Sequence, residues 1–199
     1  MQLNPKKVFP ALIILLAGIG GLAFYNYSIT TTVLLVRHAE KVDDAANANL
    51  SEEGLTRADA LVKTVDMYEI AGIYSTNFCR TALTVSPVAT AQDLPIYVQQ
   101  ISSSGGLDSC APAIQVSTVE LPSHYNDLGL FVDLLLANHK GQNVLIAGHS
   151  NTTPALVNAL GKGAFDEPQI EHDAYGDLYI ITFNGLSATP TLSKAKFGS

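Results

Sequence analysis

The chain carries several short apolar runs, each bounded by polar or turn-forming residues. Four of these runs predict short strands, and their continuous apolar character is typical of strands covered on both faces. They are TVLLVRH (residues 32–38), IAGIYST (70–76), LPIYVQQI (94–101) and GQNVLIAGHS (141–150). Two further candidate strands, DLYIITF (177–183) and ATPTLSKA (188–195), lie near the end of the chain.

Helices are predicted between most of these strands, because apolar residues there recur at helical spacing. Ser51 is suited to cap the first helix, and residues 80–92 form the second. Pro87 lies inside the second stretch, where it must either kink the helix or begin a new one. The positions that mark the first and third helices are Leu55, Ala58, Val62 and Val65, and Leu128, Phe131, Val132 and Leu135. A fourth helix, residues 152–161, ends at Gly161.

Alternating strands and helices predict an α/β fold. We expect a three-layer α/β/α sandwich with a mostly parallel central sheet. In such a sheet the ligand crevice lies beyond the carboxyl ends of the strands. Residues 102–122 carry five serines, two glycines and two prolines, and this composition predicts a long loop.

The N-terminal segment differs from the rest of the chain. Lys6 and Lys7 precede seventeen uncharged residues, 8–24, a length at the lower edge of what spans a bilayer. A signal peptide fits as well, since residues 21–23 offer small side chains at a cleavage site. We therefore expect residues 1–25 to be either a membrane anchor or a cleaved signal. Either reading places the following domain outside the cytoplasm, in the periplasm or secreted.

Residues 26–199 are expected to form one domain. The formal net charge of −7 argues against nucleic acid as a partner, because nucleic-acid binding needs a basic surface. The two cysteines, Cys79 and Cys110, permit a disulfide in an exported chain, although two unrelated buried thiols fit equally well. The sequence does not indicate an oligomeric state.

Polar residues stand at the ends of three predicted strands. The first strand leads into Arg37 and His38, the second is followed by Arg80, and the fourth ends at His149. Arginine suits phosphate or carboxylate, and a neutral imidazole with a pKa near the working pH can attack phosphorus. These four residues are expected to meet in one crevice, where they would need no metal and no cofactor.

Three motifs, LLVRHAEK, YSTNFCRTALT and GHSNTTP, together resemble the histidine phosphatase superfamily with its phosphoglycerate mutase-like fold, and within it the small phosphatases. The resemblance covers residues 32 to about 183. It implies that His38 is the nucleophile that becomes phosphohistidine, that Arg37 and Arg80 clamp the phosphoryl oxygens, and that His149 completes the pocket. It implies a hydrolase acting on a small phosphorylated substrate. Glu40 and Lys41 are expected to orient the loop or to form an ion pair at the rim.

One expected feature of the family has no clear counterpart. Asp108, Glu120 and Asp177 are each candidates for the acid that protonates the leaving group, and an enzyme without such an acid would favour substrates with good leaving groups. A phosphate-binding module without turnover and a phosphomutase are the alternative functions. The remaining histidines are expected to be structural or exposed; they are His124, His139 and His172. Substrate specificity is expected to come from residues 42–49 and 102–123.

Overall fold

The computed structural model describes residues 29–121, 127–166, 168, 170–185, 187 and 189–198. The predicted anchor or signal, residues 1–25, and His124 lie outside the described residues. Within the described ranges, no helix is both long enough and apolar enough to cross a membrane.

Seven strands and four helices make up the described fold. In chain order they are β1 Thr30–Arg37, α1 Glu52–Val65, β2 Ile70–Thr76, α2 Cys79–Gln92, β3 Ile96–Gln99, β4 Thr118–Leu121, α3 Leu128–Asn138, β5 Asn143–Gly148, α4 Thr152–Gly161, β6 Asp177–Asn184 and β7 Thr191–Lys196. All seven strands form one sheet in the order β4-β3-β2-β5-β1-β6-β7.

The sheet is mixed. Strands β3, β2, β5 and β1 run parallel to one another, as predicted, and β4 joins them in parallel, whereas β6 and β7 are antiparallel additions beside β1. The connection between β6 and β7 is too short for the crossover that parallel strands need, so this pair forms a hairpin. The first residues of β6 lie beside the carboxyl end of β1, so the segment before β6 lies at the crevice.

Two helices cover each face of the sheet. Along β1, Leu34 and Val36 point into a core with residues of α1 and α2. Val33 and Leu35 point to the other side, into a core with residues of α3 and α4. Because successive strand side chains alternate between faces, a wholly apolar β1 serves both cores at once.

The helix boundaries follow local signals, and the structure excludes one of the two alternatives for Pro87. The Ser51 hydroxyl accepts a hydrogen bond from the Gly54 N–H at 3.1 Å and so caps α1. Lys162, directly after α4, adopts a left-handed conformation with φ of 51°. Pro87 does not begin a new helix, because α2 is continuous through it.

The prediction of a long loop over residues 102–122 was wrong in part. Its end forms β4, which pairs in parallel with β3 at the edge of the sheet. Only Leu121 of β4 is even half-buried, while the preceding residues of the strand are exposed. The strand therefore lacks the apolar run or alternation that would have revealed it.

Candidate active site

The four predicted residues line one cleft at the carboxyl edge of the sheet. Arg37, His38, Arg80 and His149 all border a cavity of about 410 Å³. Arg37 aligns with Gly148 across β1 and β5, and the His38 N–H donates to the Gly148 carbonyl at 2.9 Å. The ring centroids of His38 and His149 are consequently 5.5 Å apart. The structure thus brings together side chains that are up to 112 positions apart in the sequence.

His38 is held in one tautomer. Its Nδ1 lies 2.8 Å from the Ala39 carbonyl oxygen, which can only accept, so Nδ1 carries the proton. The unprotonated Nε2 is left for a ligand. The pKa of His38 is lowered to about 3, chiefly by burial and in smaller part by the charges of His149, Arg37 and Arg80, while the hydrogen bond to Ala39 opposes the shift. His38 is therefore a neutral imidazole at ordinary pH.

Arg37 is bound more tightly to the protein than the sequence suggested. Its Nη1 donates to the carbonyls of Glu171 and Ala174 at 2.8 and 3.0 Å, and its Nη2 donates to the carbonyl of His172 at 2.8 Å. The guanidinium also lies 4.3 Å over the Tyr175 ring. Its buried Nε–H has no partner among the described residues. Because Nη2 also lies 3.5 Å from the Tyr175 hydroxyl, the donor that Arg37 has left without a described partner is Nε–H, not a free two-nitrogen fork.

Arg80 has more donors available. Its Nη1 donates to the Ala46 carbonyl at 2.8 Å, and its guanidinium stacks 4.4 Å over the Phe78 ring. Burial and the charge of Arg37 lower its pKa, but arginine stays charged at any physiological pH. This half-buried side chain presents a planar cation to the cleft, and among the described residues its N–H groups have no acceptor besides the Ala46 carbonyl on Nη1.

His149 is buried opposite His38. Burial lowers its pKa to about 3, with Arg80 and Arg37 contributing through their charges. Its backbone N–H donates to the Thr152 hydroxyl at 2.7 Å, and α4 begins at that residue. Ser150 and Asn151 also line the cleft, so the positive end of the α4 dipole lies beside the two arginines. This combination of charges favours an anion.

Glu40 orients the loop that follows β1, as expected. Its carboxylate accepts two hydrogen bonds from the Arg57 Nε, at 2.8 and 2.9 Å, and Arg57 also donates to the Gly198 carbonyl. Gly54 packs so closely on the Glu40 carbonyl that an added Cβ would collide with it. Lys41 forms a separate ion pair at the rim of the cleft, 2.5 Å from Asp44.

Cys79 and Cys110 form a disulfide, which decides between the two possibilities left by the sequence. The bond ties the loop after β3 to the start of α2, one residue before Arg80. Asn47 reinforces this junction, because its side chain accepts from the Cys79 N–H at 2.9 Å and donates to the Gly106 carbonyl at 2.7 Å. The loop that contains Asn47 and the loop after β3 are thereby both fixed to α2, the helix that carries Arg80.

None of the three candidate acids lines the cleft. Asp108 and Glu120 are exposed elsewhere. Asp177 forms ion pairs with Lys194 and Lys196 at 2.8 and 2.5 Å. Burial acts to raise the pKa of Asp177, but the two lysines outweigh it and hold that pKa below its usual value.

Two ionisable residues at the cleft were missed as site residues by the sequence analysis. Asp44 lines it, although its hydrogen bond to Lys41 lowers its pKa and keeps it ionised. His172 is exposed, as expected, but it also lines the cleft. Recognising β6 as antiparallel to β1 would have located His172. His139 is structural as expected, with Nε2 2.7 Å from the Tyr74 hydroxyl.

Residues 33–100 match the family model of the histidine phosphatase superfamily (branch 1). This stretch contains Arg37, His38 and Arg80. The match and the fold confirm the resemblance that the sequence motifs indicated. Among curated protein sequences, none matches the chain.

Several solved structures share the fold, and some of them are phosphatases by name. YhfR from Bacillus stearothermophilus has a TM-score of 0.56 and 22% identity, and the alignment covers 85% of this chain and 97% of that one. A mycobacterial glucosyl-3-phosphoglycerate phosphatase has a TM-score of 0.55 and 14% identity, with 82% and 97% covered. A phosphoserine phosphatase from Entamoeba histolytica, in complex with 3-phosphoglyceric acid, has a TM-score of 0.50 and 18% identity, with 85% and 97% covered. At these identities the likeness concerns the fold.

The pKa values of the two histidines predict how stability depends on pH. Both are about 3 in the folded protein, below the unfolded value of about 6.5, so the unfolded chain binds protons first as the pH falls. Stability should therefore decrease from about pH 6.5 toward pH 3, by up to about 1.4 kcal/mol per pH unit for each histidine. Urea unfolding between pH 7 and pH 4.5 in phosphate-free buffer measures this slope. The double variant His38→Gln/His149→Gln should show a shallower slope, and an equal slope would contradict the assignment.

Loss of the disulfide should destabilise the domain. We expect Cys110→Ala to lower the free energy of unfolding by about 2–4 kcal/mol, because the unfolded chain is no longer cross-linked. Urea unfolding with and without dithiothreitol measures the effect. The reductant should bring the wild-type protein close to the variant and leave the variant unchanged. A wild-type midpoint that does not respond to full reduction would show that the bond contributes nothing to stability.

Proposed function

We propose that this protein is a phosphatase that hydrolyses a small phosphomonoester or related phosphoryl compound through a phosphohistidine on His38. The observation that carries the proposal is the His38 tautomer, which leaves Nε2 unprotonated beside two arginines and a helix N-terminus. The fold shared with phosphatases supports it. The neighbours' named substrates, glucosyl-3-phosphoglycerate and phosphoserine, fit a small phosphorylated ligand.

The reaction would take two displacements at phosphorus. The His38 Nε2 lone pair forms the P–N bond while the bond from phosphorus to the leaving group breaks, and the departing atom takes up a proton from solvent. Water then attacks phosphorus, and the P–N bond breaks with its electron pair returning to Nε2. One proton of the water stays on the released inorganic phosphate and the other returns to solvent. Arg80, the Nε–H of Arg37 and the start of α4 would stabilise the oxygens as negative charge builds on them. This route needs no metal and no cofactor.

The cleft favours substrates whose leaving group departs without help. The three candidate acids lie elsewhere, and Asp44 is paired with Lys41. General acid catalysis contributes about 10²–10⁴-fold where it operates. Acyl phosphates, phosphoramidates and aryl phosphates should accordingly be hydrolysed faster than alkyl phosphates.

His38→Ala should abolish turnover. We expect release of phosphate from p-nitrophenyl phosphate by the full chain to fall about 10³-fold or more, because the nucleophile is lost. His139→Gln is the matched control, since His139 contacts Tyr74 outside the cleft and its loss should leave the rate unchanged. Equal rates in the wild-type and His38→Ala proteins would refute the mechanism.

A binding module without turnover is the second candidate, favoured by the position of the three candidate acids outside the cleft. It predicts that the wild-type chain binds vanadate or phosphate but releases no phosphate from aryl, acyl or alkyl phosphates. Detectable hydrolysis that depends on His38 rejects this alternative.

We also propose that the domain works outside the cytoplasm, with residues 8–24 as a membrane anchor or cleaved signal. The Cys79–Cys110 disulfide supports this location, because structural disulfides persist in oxidising compartments. Cell fractionation followed by N-terminal sequencing should find the domain in an extracytoplasmic or membrane fraction and decide whether residues 1–25 remain. Recovery in the cytoplasm with reduced cysteines would contradict the proposal.

A further inference from the structure

Behind His149 lies a chain of buried hydroxyl groups that the proposed reaction does not use. His149 Nε2 is 3.0 Å from the hydroxyl oxygen of Thr76, and that oxygen is 2.7 Å from the hydroxyl oxygen of Thr81. Thr81 is completely buried, and Thr76 and His149 are nearly so. Neither threonine is on the surface of the cleft, whereas His149 is.

Two backbone carbonyls indicate which hydroxyl groups of this chain donate and which accept. The Thr81 hydroxyl oxygen lies 2.9 Å from the Phe78 carbonyl and 3.2 Å from the Thr76 carbonyl, and a carbonyl can only accept. Thr81 has one hydroxyl proton, and its two carbonyl contacts favour donation to the backbone. In that arrangement the 2.7 Å contact with Thr76, in which either hydroxyl could be the donor, uses the proton of Thr76. With its own proton committed, the Thr76 hydroxyl can only accept from His149.

This direction fixes the tautomer of His149. Nε2 must carry the proton, and a neutral imidazole then has its lone pair on Nδ1. The histidine is neutral at ordinary pH, because burial, together with the charges of Arg80 and Arg37, lowers its pKa to about 3. Nδ1 is the ring nitrogen left for a ligand in the cleft.

We propose that Thr76 is a positioning residue that holds the proton of His149 on Nε2 and leaves Nδ1 for the phosphoryl group. The inference deepens the proposed phosphatase function and rests on it for its catalytic meaning. His38 carries its proton on Nδ1, so the two histidines of the cleft are fixed in opposite tautomers by different buried partners. Nδ1 of His149 can accept a hydrogen bond from a protonated oxygen of the phosphoryl group.

The matched variants are Thr76→Val, which keeps the shape and removes the hydroxyl, and Thr76→Ser, which keeps the hydroxyl. The full chain is labelled with ¹⁵N-histidine, His149→Gln identifies the His149 signals, and NMR shifts of the ring nitrogens at pH 7 report the tautomer. We expect the Nε2–H form in the wild-type and Thr76→Ser proteins. Thr76→Val should shift His149 toward the Nδ1–H form.

Turnover provides the second readout. Loss of one buried hydrogen bond corresponds to about a tenfold change, so Thr76→Val should lower kcat for p-nitrophenyl phosphate by about tenfold, and Thr76→Ser should restore it. A merely structural role for Thr76 would change urea unfolding but not the tautomer.

The outcomes separate this inference from the proposed function. An Nδ1–H tautomer in the wild-type protein, or an Nε2–H tautomer that persists in folded Thr76→Val, would overturn the role of Thr76 whether or not the protein hydrolyses phosphates. Absence of hydrolysis by a wild-type protein with the expected tautomer would instead count against the proposed function.

Discussion

The parallel pairing of β1 with β5 determines the geometry of the cleft. Parallel neighbours end at the same edge of a sheet, and the register of this pair sets Arg37 opposite Gly148. The next residue of each strand is a histidine, so the two imidazoles leave the sheet side by side. A shift of one residue would turn one of them to the opposite face. The continuous apolar runs of both strands protect the register, because each strand fills two cores.

Placing two arginines and two histidines at the end of a buried sheet has an electrostatic cost, which the fold offsets in three ways. Arg37 donates hydrogen bonds to backbone carbonyls of the segment before β6. These bonds offset the cost of burying its charge, because a buried cation without partners is strongly unfavourable. The histidines stay neutral, which removes two further charges. Arg80 remains half-exposed at the rim. The unmatched positive charge that is left makes the cleft suited to an anion.

The sequence predicted best the elements whose structure is determined mainly by their own residues. The strands carrying Arg37, His38 and His149 are continuous apolar runs, and Arg80 lies in a recognisable motif, so these positions could be predicted together. β4 was not predicted, because an exposed edge strand needs no apolar pattern. The positions of His172 and of the carbonyls that bind Arg37 were not predicted either, because they depend on the antiparallel direction of β6, which is determined by tertiary pairing. Thr76 and Thr81 stand in the motif that indicated Arg80, but only their distances reveal the hydrogen-bond chain.

The same helix, α2, connects the parts of the site that different strands supply. Its first residue, Cys79, is bridged to the loop after β3, and its second residue is Arg80. Thr84, one turn further on, accepts from the Ala39 N–H at 2.9 Å and so holds the turn that contains His38. Thr81 lies between them and ends the hydroxyl chain from His149. Because these contacts arise within the first two turns of one rigid helix, a displacement of α2 would move the arginine, the loop and the supports of both histidines together. The disulfide therefore acts on the whole cleft through the helix, not only on the loop that it joins.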